Sequence, residues 1–296
     1  MTKSVTHPDS NSCIAYNNKY AYTIKKDFYM INCKVDTLGI DLNDCDVCNK
    51  GSYCQPYVLG DPISYQFTSI NYSSIYKIEV KDASGTIHAT IYGAPYITQG
   101  SSEDKSVYTI NVNVDMEAVI TDFSEGNYSC FQLKFYAYDL FTEQEYTFNS
   151  AFYCEVICDE FTVAFDSLYP NKDCNGYTYT GVGGTTYNNF LRLKGQVYYN
   201  AYNFDVQISD RFKEITKKVE DSYIFESTKQ LPEWVVKKFK AVVMGTDIIV
   251  RTYKGSTMLN EYTFVVKKGA DMNNESGILW NLKQEFTQIC EISNIC

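Results

Sequence analysis

The stretch IYKIEVKDASGTIHATIY, residues 75–92, decides the fold class. In an extended chain, the apolar residues of each half share one side: Tyr76, Ile78 and Val80, then Ile87, Ala89 and Ile91. A period of two is typical of a half-buried β-strand. Between the halves, DASG at 82–85 is rich in turn-forming residues. The stretch therefore predicts a β-hairpin, with His88 among threonines on its polar face.

The same period continues along the chain in VYTINVNV (107–114), YSCFQLKFYAY (128–138) and YTFNSAFYCEVIC (146–158). Turn signals separate these runs, GSSED at 100–104 and SEGN at 124–127. Short alternating strands with regularly spaced turns predict an antiparallel, immunoglobulin-like β-sandwich, which we place at residues 56–165. The 27 tyrosines fit this prediction, because Tyr favours pleated surfaces and protein interfaces.

The rest of the chain divides into three parts. Residues 1–55 are polar and weakly periodic, which predicts an extended N-terminal arm, and 166–188 is a loop-rich connection. Residues 189–296 predict a smaller β-rich, α+β domain with one helix near 231–244, where Val235, Val236 and Phe239 recur at helical spacing. DIIVRTY and EYTFVVKK then predict a hairpin. The final segment, ILWNLKQEFTQICEI, fits a helix or a strand. More of its residues match the alternation of a strand than the period of a helix, so we predict a strand.

The charge balance argues against a nucleic-acid-binding protein. The formal net charge is -10, and only Arg192, Arg211 and Arg251 supply guanidinium groups. Phosphate neutralisation and base readout depend on Lys and Arg, so we expect no sequence-specific nucleic-acid binding. The polar N-terminus and the absence of a long apolar run predict a protein of a reducing cytoplasm with no membrane partner. Eleven cysteines, an odd number, in such a compartment disfavour disulfides.

The residues that commonly carry catalysis are scarce. The chain has only two histidines, His7 in the polar tail and His88 on a strand, and neither has a partner in a recognisable triad. GVGG at 181–184 lacks the lysine and the following helix of a phosphate-binding loop, so it predicts a flexible loop. A glycosidase needs two carboxylates at a set separation, which 36 acidic residues cannot reveal by sequence alone. We therefore predict a non-enzymatic protein with no catalytic residues.

Cysteines supply one candidate site. CDVCNKGSYC, residues 45–54, places Cys45, Cys48 and Cys54 close together, and Cys33 precedes them. Four thiolates can hold a structural zinc, so these four residues are the candidate ligands and zinc is the one candidate cofactor. The favoured interpretation is that these cysteines are ordinary thiols without a metal, because a second Cys-x-x-Cys is missing. A disulfide or redox pair is the third interpretation. The strand residues Cys130, Cys154 and Cys158 are interpreted as small buried hydrophobes.

Several segments follow in an order that resembles a known family: CNKGSYCQPYVLGDPISYQF, CEVICDE, SLYPNKDCNGYTY, LPEWVVKKF, a hairpin, and the terminal Cys290 and Cys296. This layout resembles the structural tail ring and neck proteins of crAss-like bacteriophages of gut Bacteroides. The resemblance implies a non-enzymatic virion protein, made in the host cytoplasm, that assembles with itself and with other tail or neck proteins into a ring through which DNA passes. It carries over no catalytic residues.

Two further expectations accompany this interpretation. An acidic channel wall would repel phosphates, so that the genome slides through the ring without sticking. The alternative function is a surface-glycan-binding β-sandwich module of a phage or bacterial surface, which requires a face of exposed aromatic rings. Trp234 and Trp280, the only tryptophans, both lie in apolar patterns, which weakens that alternative.

Overall fold

A computed structural model describes residues 28–30, 53–69, 71–104, 107–168, 188–209, 214–243, 247–266, 270–273 and 279–295. The chain forms two compact units. The first runs to Val156 and includes residues 169–190, and the second comprises Ile157–Leu168 and the chain from Leu191 onward. GVGG at 181–184 and most of the predicted arm and connection lie outside the described residues.

The described residues form seventeen strands and two helices. The strands are β1 Phe28–Met30, β2 Gln55–Tyr57, β3 Ile63–Ser69, β4 Ser73–Lys81, β5 Ile87–Ile91, β6 Ile97–Asp104, β7 Val107–Val114, β8 Cys130–Asp139, β9 Gln144–Glu155, β10 Phe161–Leu168, β11 Asn189–Ser209, β12 Glu214–Ser227, β13 Leu231–Pro232, β14 Asp247–Lys254, β15 Thr257–Phe264, β16 Asp271–Asn273 and β17 Leu279–Ile295. The helices are α1 Met116–Asp122 and α2 Glu233–Val243. The prediction of a mainly β chain is confirmed. Neither helix is long and apolar enough to cross a lipid bilayer.

The first unit contains two sheets around one core. A four-stranded sheet has the order β1-β3-β7-β6, and a five-stranded sheet has the order β2-β9-β8-β4-β5. The inward residues of both sheets belong to one apolar cluster, which includes Phe67 of β3, Val112 of β7 and Phe135 of β8. The Phe135 ring contacts the rings of Tyr65 and Phe67 edge-on, at centroid distances of 4.8 and 5.4 Å. This edge-to-face geometry is the favourable one for aromatic pairs.

A β-bulge changes the predicted faces of β4. The sequence predicts that Tyr76, Ile78 and Val80 share a face and that Ile75 lies opposite with the charged residues. In the structure the register shifts between Ile75 and Lys77, so Ile75 joins Ile78 and Val80 in the core while Tyr76 is exposed. The extra residue of a bulge reverses the alternation on one side of it, which is why the simple period of two is wrong here.

Two other local predictions in this unit differ from the structure. GSSED at 100–104 was expected to be a turn, but it continues β6, which pairs with β7 along its whole length. The helix α1 was not predicted. Asp115 caps it by accepting a hydrogen bond from the Ala118 backbone N–H at 3.0 Å. Its seven residues make fewer than two full turns, too short for a helical period to stand out.

The second unit is built on an eight-stranded sheet in the order β13-β17-β12-β11-β10-β14-β15, with β16 also paired to β17. The predicted hairpin is confirmed as β14 and β15, which join at Gly255, where a φ of 58° suits glycine. The strand interpretation of the last segment is also confirmed, because β17 pairs with β12 from Glu214 to Glu226. The predicted boundary at residue 165 falls inside β10, which belongs to this second sheet.

The core of the second unit is aromatic. Phe165 of β10 contacts the rings of Phe225, Phe239 and Phe286 at centroid distances of 4.9, 5.1 and 5.9 Å. Phe239 comes from α2, the helix predicted near 231–244, which is confirmed at Glu233–Val243. The helix therefore packs its apolar face on the sheet, as its spacing of valines and phenylalanine indicates.

Candidate metal centre

Three neighbouring strands of the five-stranded sheet bring three cysteines together at one level. Cys130 opens β8 and is the direct cross-strand partner of Cys154 near the end of β9. Cys54 immediately precedes β2, which runs parallel to β9 with Gln55 opposite Tyr153. The three Sγ atoms all lie within 4.8 Å of one another. We call these residues, Cys54, Cys130 and Cys154, the sulfur cluster.

In the structure, all three of these cysteines are disulfide-bonded. Cys54 and Cys154 form a disulfide with a Cα–Cα distance of 5.9 Å, within the usual range. The Cys130 Sγ lies 2.9 Å from the Cys154 Sγ. The Cys54 Sγ also lies 3.6 Å from the carbonyl oxygen of Phe152, a contact that a thiol, but not a disulfide sulfur, can use as a weak hydrogen bond. The disulfide contradicts the expectation that the chain avoids such bonds.

The sulfur cluster lies on the face of the sheet opposite the main core, where Cys54 and Cys130 are buried and Cys154 is partly buried. Along β8, Phe131 and Leu133 point into the core, so Cys130 faces the other side. Cys54 is 8% exposed and Cys130 is 6% exposed. Phe152 and Ala83 pack against the sulfurs in a small apolar cluster of their own. The site is therefore shielded from water and lined by apolar groups.

The sequence prediction located one member of this group. Cys54 is a predicted zinc ligand, and the structure brings it to two partners that the sequence did not suggest. Cys33, Cys45 and Cys48 lie outside the described residues, so the four-thiolate set stays a prediction. Cys130 and Cys154 were interpreted as small buried hydrophobes with free thiols, whereas both are disulfide-bonded. Cys158 was expected to be buried and is instead an exposed free thiol.

One signal in the sequence could have revealed the pair. Cys130 and Cys154 lie at nearly the same distance from the loop at 140–143 that joins β8 to β9, and a bulge in β9 absorbs the difference of one residue. In an antiparallel hairpin, such residues meet across the strands. The turn itself is not obvious, because LFTE contains neither Gly, Pro nor Asn, and Glu143 supplies the positive φ of 57°. Cys54 offers no such signal, since it is 100 residues from Cys154.

Both ring nitrogens of His88 have hydrogen-bond partners. Its Nε2 lies 2.8 Å from the Asp82 carboxylate, and its Nδ1 accepts a hydrogen bond from the Asn127 backbone N–H at 3.3 Å. Burial would raise the pKa of Asp82, but hydrogen bonds from Ser84, His88 and the turn backbone outweigh it and lower the pKa to about 2. The contact between His88 and Asp82 holds the DASG turn against β5, so the role of this histidine is structural.

A charged network occupies the same outer face as the sulfur cluster. Its centre is Glu79, which is 7% exposed. The Glu79 carboxylate accepts a hydrogen bond from the Tyr136 hydroxyl at 2.6 Å and pairs with Lys77 and Lys81 at 3.1 and 3.2 Å. Burial alone would raise the pKa of Glu79, but these hydrogen bonds more than offset it and hold the pKa at about 2. Both lysines and the tyrosine thus serve to keep one carboxylate charged.

Comparison of the chain with protein-family models, with curated proteins and with solved structures gives no match.

Proposed function

We propose that this chain is a non-enzymatic structural protein of a virion, which forms or joins a ring in a phage tail or neck through which DNA passes. The single observation that supports self-assembly best is a long ribbon in the second unit. The family resemblance supplies the virion context, and the ribbon supplies a surface that suits a second copy of the chain.

The ribbon consists of three strands that run past the rest of their sheet. We define the distal ribbon as residues 201–209, 214–222 and 287–295, which pair continuously across β11, β12 and β17. Strand β11 has 21 residues, whereas its other neighbour, β10, has eight. More than half of β11 therefore extends beyond the reach of β10. At about 3.4 Å per residue, nine paired residues span roughly 30 Å.

Exposed tyrosines stand at the base of this ribbon. A bulge at Asn200 lets Tyr199 pair with Tyr223 and Tyr202 pair with Asp221, so Tyr199 and Tyr202 lie on one face. They are 53% and 66% exposed. The Tyr199 ring contacts Tyr223 at 5.5 Å, and Tyr223 contacts Phe264 of the core at 5.0 Å. We call Tyr199, Tyr202 and Tyr223 the tyrosine patch.

This patch has the properties of an assembly contact. Tyr is enriched at the centres of protein interfaces because it buries a large apolar area and loses little side-chain entropy. The rings of Tyr199 and Tyr223 are continuous with a packed aromatic core, which holds them in place. Strands that extend beyond the rest of their sheet also expose edges with unpaired backbone groups. A strand of a neighbouring copy can pair with such an edge. Repeated contacts of this head-to-tail kind close into a ring when the rotation between copies permits.

The test compares assembly of three forms of the full chain. Sedimentation velocity and negative-stain electron microscopy should show rings for the wild type. The double variant Tyr199→Ser with Tyr202→Ser should shift toward the monomer by at least about 30-fold in dissociation constant, which corresponds to the loss of about 2 kcal/mol from a single interface anchor. Tyr92→Ser is the matched control, because Tyr92 is 62% exposed on the first unit. It should assemble as the wild type does.

Two results would contradict the proposal. The first is a double variant that assembles as well as the wild type. The second is a wild-type monomer that binds glycans on an array, which would favour the glycan-binding alternative.

A further inference from the structure

We propose that the sulfur cluster, Cys54, Cys130 and Cys154, binds a thiophilic divalent cation, Zn²⁺, when the chain is reduced. This site is independent of the proposed assembly function. It also differs from the predicted set of Cys33, Cys45, Cys48 and Cys54, because two of its three ligands come from the β8–β9 hairpin.

The spacing of the sulfurs suits a tetrahedral metal. Zinc–thiolate bonds are about 2.3 Å long, which sets ligand sulfurs about 3.8 Å apart around a tetrahedral centre. The three Sγ atoms lie within 4.8 Å of one another, from backbone positions fixed by strand pairing. Side-chain rotation alone can therefore bring them to ligand distances, without moving a strand. Three thiolates leave one position of the tetrahedron for a further donor.

In the oxidised chain these sulfurs belong to disulfides: Cys54 bonds to Cys154, and Cys130 is also disulfide-bonded. Reduction would leave three thiols whose sulfurs lie close to one another. Disulfides are disfavoured where glutathione and thioredoxin keep thiols reduced. Under those conditions the same three groups are metal ligands, and the disulfide and the metal are alternative states of one site.

The chemistry of the donors selects the metal. Thiolates are soft ligands that prefer Zn²⁺ over Mg²⁺ or Ca²⁺, which take oxygen. The apolar lining of Phe152 and Ala83 excludes water, which strengthens the attraction between thiolates and cation. Bound metal would also fasten β2, a strand of three residues, to the hairpin beside it. The site is thus structural, and its metal should raise the thermal stability of the reduced chain.

The test titrates the full chain with Co²⁺ under anaerobic, reducing conditions, after removal of bound metal with a chelator. Tetrahedral thiolate coordination gives Co²⁺ intense visible bands and a sulfur-to-metal charge-transfer band. We expect about one equivalent to bind, to be displaced by Zn²⁺, and to raise the melting temperature. A wild type that develops no such spectrum overturns the proposal, and this readout requires no variant to fold.

Variants then assign the ligands. Cys130→Ala and Cys154→Ala should each weaken Co²⁺ binding by at least about 100-fold, since even residues that only support a ligand change metal affinity by 10- to 100-fold. Cys158→Ala is the matched control, because Cys158 is an exposed free thiol four positions after Cys154. It should bind Co²⁺ as the wild type does. Full binding by Cys130→Ala, or an equal loss in Cys158→Ala, overturns the assignment.

Discussion

Replacement of Glu79 by Gln tests the charged network on the outer face of the five-stranded sheet. Glutamine keeps the shape of the side chain and can still accept the Tyr136 hydroxyl, but it removes the negative charge between Lys77 and Lys81. The Lys77 ammonium also lies 3.5 Å from the centroid of the Tyr136 ring. The variant therefore leaves two ammonium groups facing one another with no carboxylate between them, and it should destabilise the fold.

The pKa of Glu79 gives the size of this effect and its sign. Hydrogen bonds from Tyr136, Lys77 and Lys81 outweigh burial and lower the pKa from 4.5 to about 2. At about 1.36 kcal/mol per pKa unit, this difference corresponds to roughly 3 kcal/mol. Both lysines are partly exposed, so solvent screening reduces the expected value to about 1.5 kcal/mol. Because the folded-state pKa is depressed, the stabilisation is complete above pH 4.5 and is lost as the pH falls through about 2.

Urea unfolding of the wild type and Glu79→Gln at a series of pH values measures this contribution. We expect the free energies of unfolding to differ by about 1.5 kcal/mol at pH 7. The difference should shrink below pH 4.5 and disappear near pH 2, where the wild-type carboxyl is itself protonated. Glu145→Gln is the control, because Glu145 is exposed and accepts its hydrogen bond from the uncharged hydroxyl of Tyr76. A difference that stays constant from pH 7 to pH 2 would refute the electrostatic explanation.

Three further substitutions test other parts of the fold by urea unfolding. Phe165→Ala removes the ring that contacts three other phenylalanines and should lower the stability of the second unit by about 3–5 kcal/mol; a loss below about 1 kcal/mol would show that the site is not closely packed. Asp115→Ala removes the N-cap of α1 and should destabilise by about 1 kcal/mol, while Asp115→Asn should retain most of the stability. Gly195→Ala places a Cβ 2.5 Å from the Glu226 carbonyl oxygen and should destabilise by about 1–3 kcal/mol; an unchanged midpoint would contradict this packing.

The sequence predicts the fold where local patterns are sufficient. The hairpin at 75–92, the helix near 231–244 and the final strand all follow from the spacing of apolar residues, because burial of one face imposes that spacing. The bulge at Tyr76 was missed because a bulge depends on how β4 pairs with β8, which is a non-local property. For the same reason, the spacing of residues does not reveal that β11 is a single strand of 21 residues with a bulge between Tyr199 and Ala201.

The sulfur cluster shows where sequence reasoning ends. A zinc knuckle can be recognised in a sequence because its ligands are close together in the chain. For this reason the sequence suggests Cys45 and Cys48 as zinc ligands. The cysteines of the sulfur cluster come from β8, from β9 and from the residue before β2, and Cys54 and Cys154 are 100 residues apart. Only the pairing of β2 with β9 and of β8 with β9 brings them together. The spacing of residues in sequence cannot supply that pairing.

Native mass spectrometry of the full chain in a reducing buffer tests the assembly proposal most directly. A structural ring protein should give one closed oligomer, with a mass that is a single integer multiple of the 33.9 kDa chain. The tyrosine patch variant should give mainly the monomer under the same conditions. A wild-type chain that remains monomeric over the whole accessible concentration range would contradict self-assembly through the distal ribbon and the tyrosine patch.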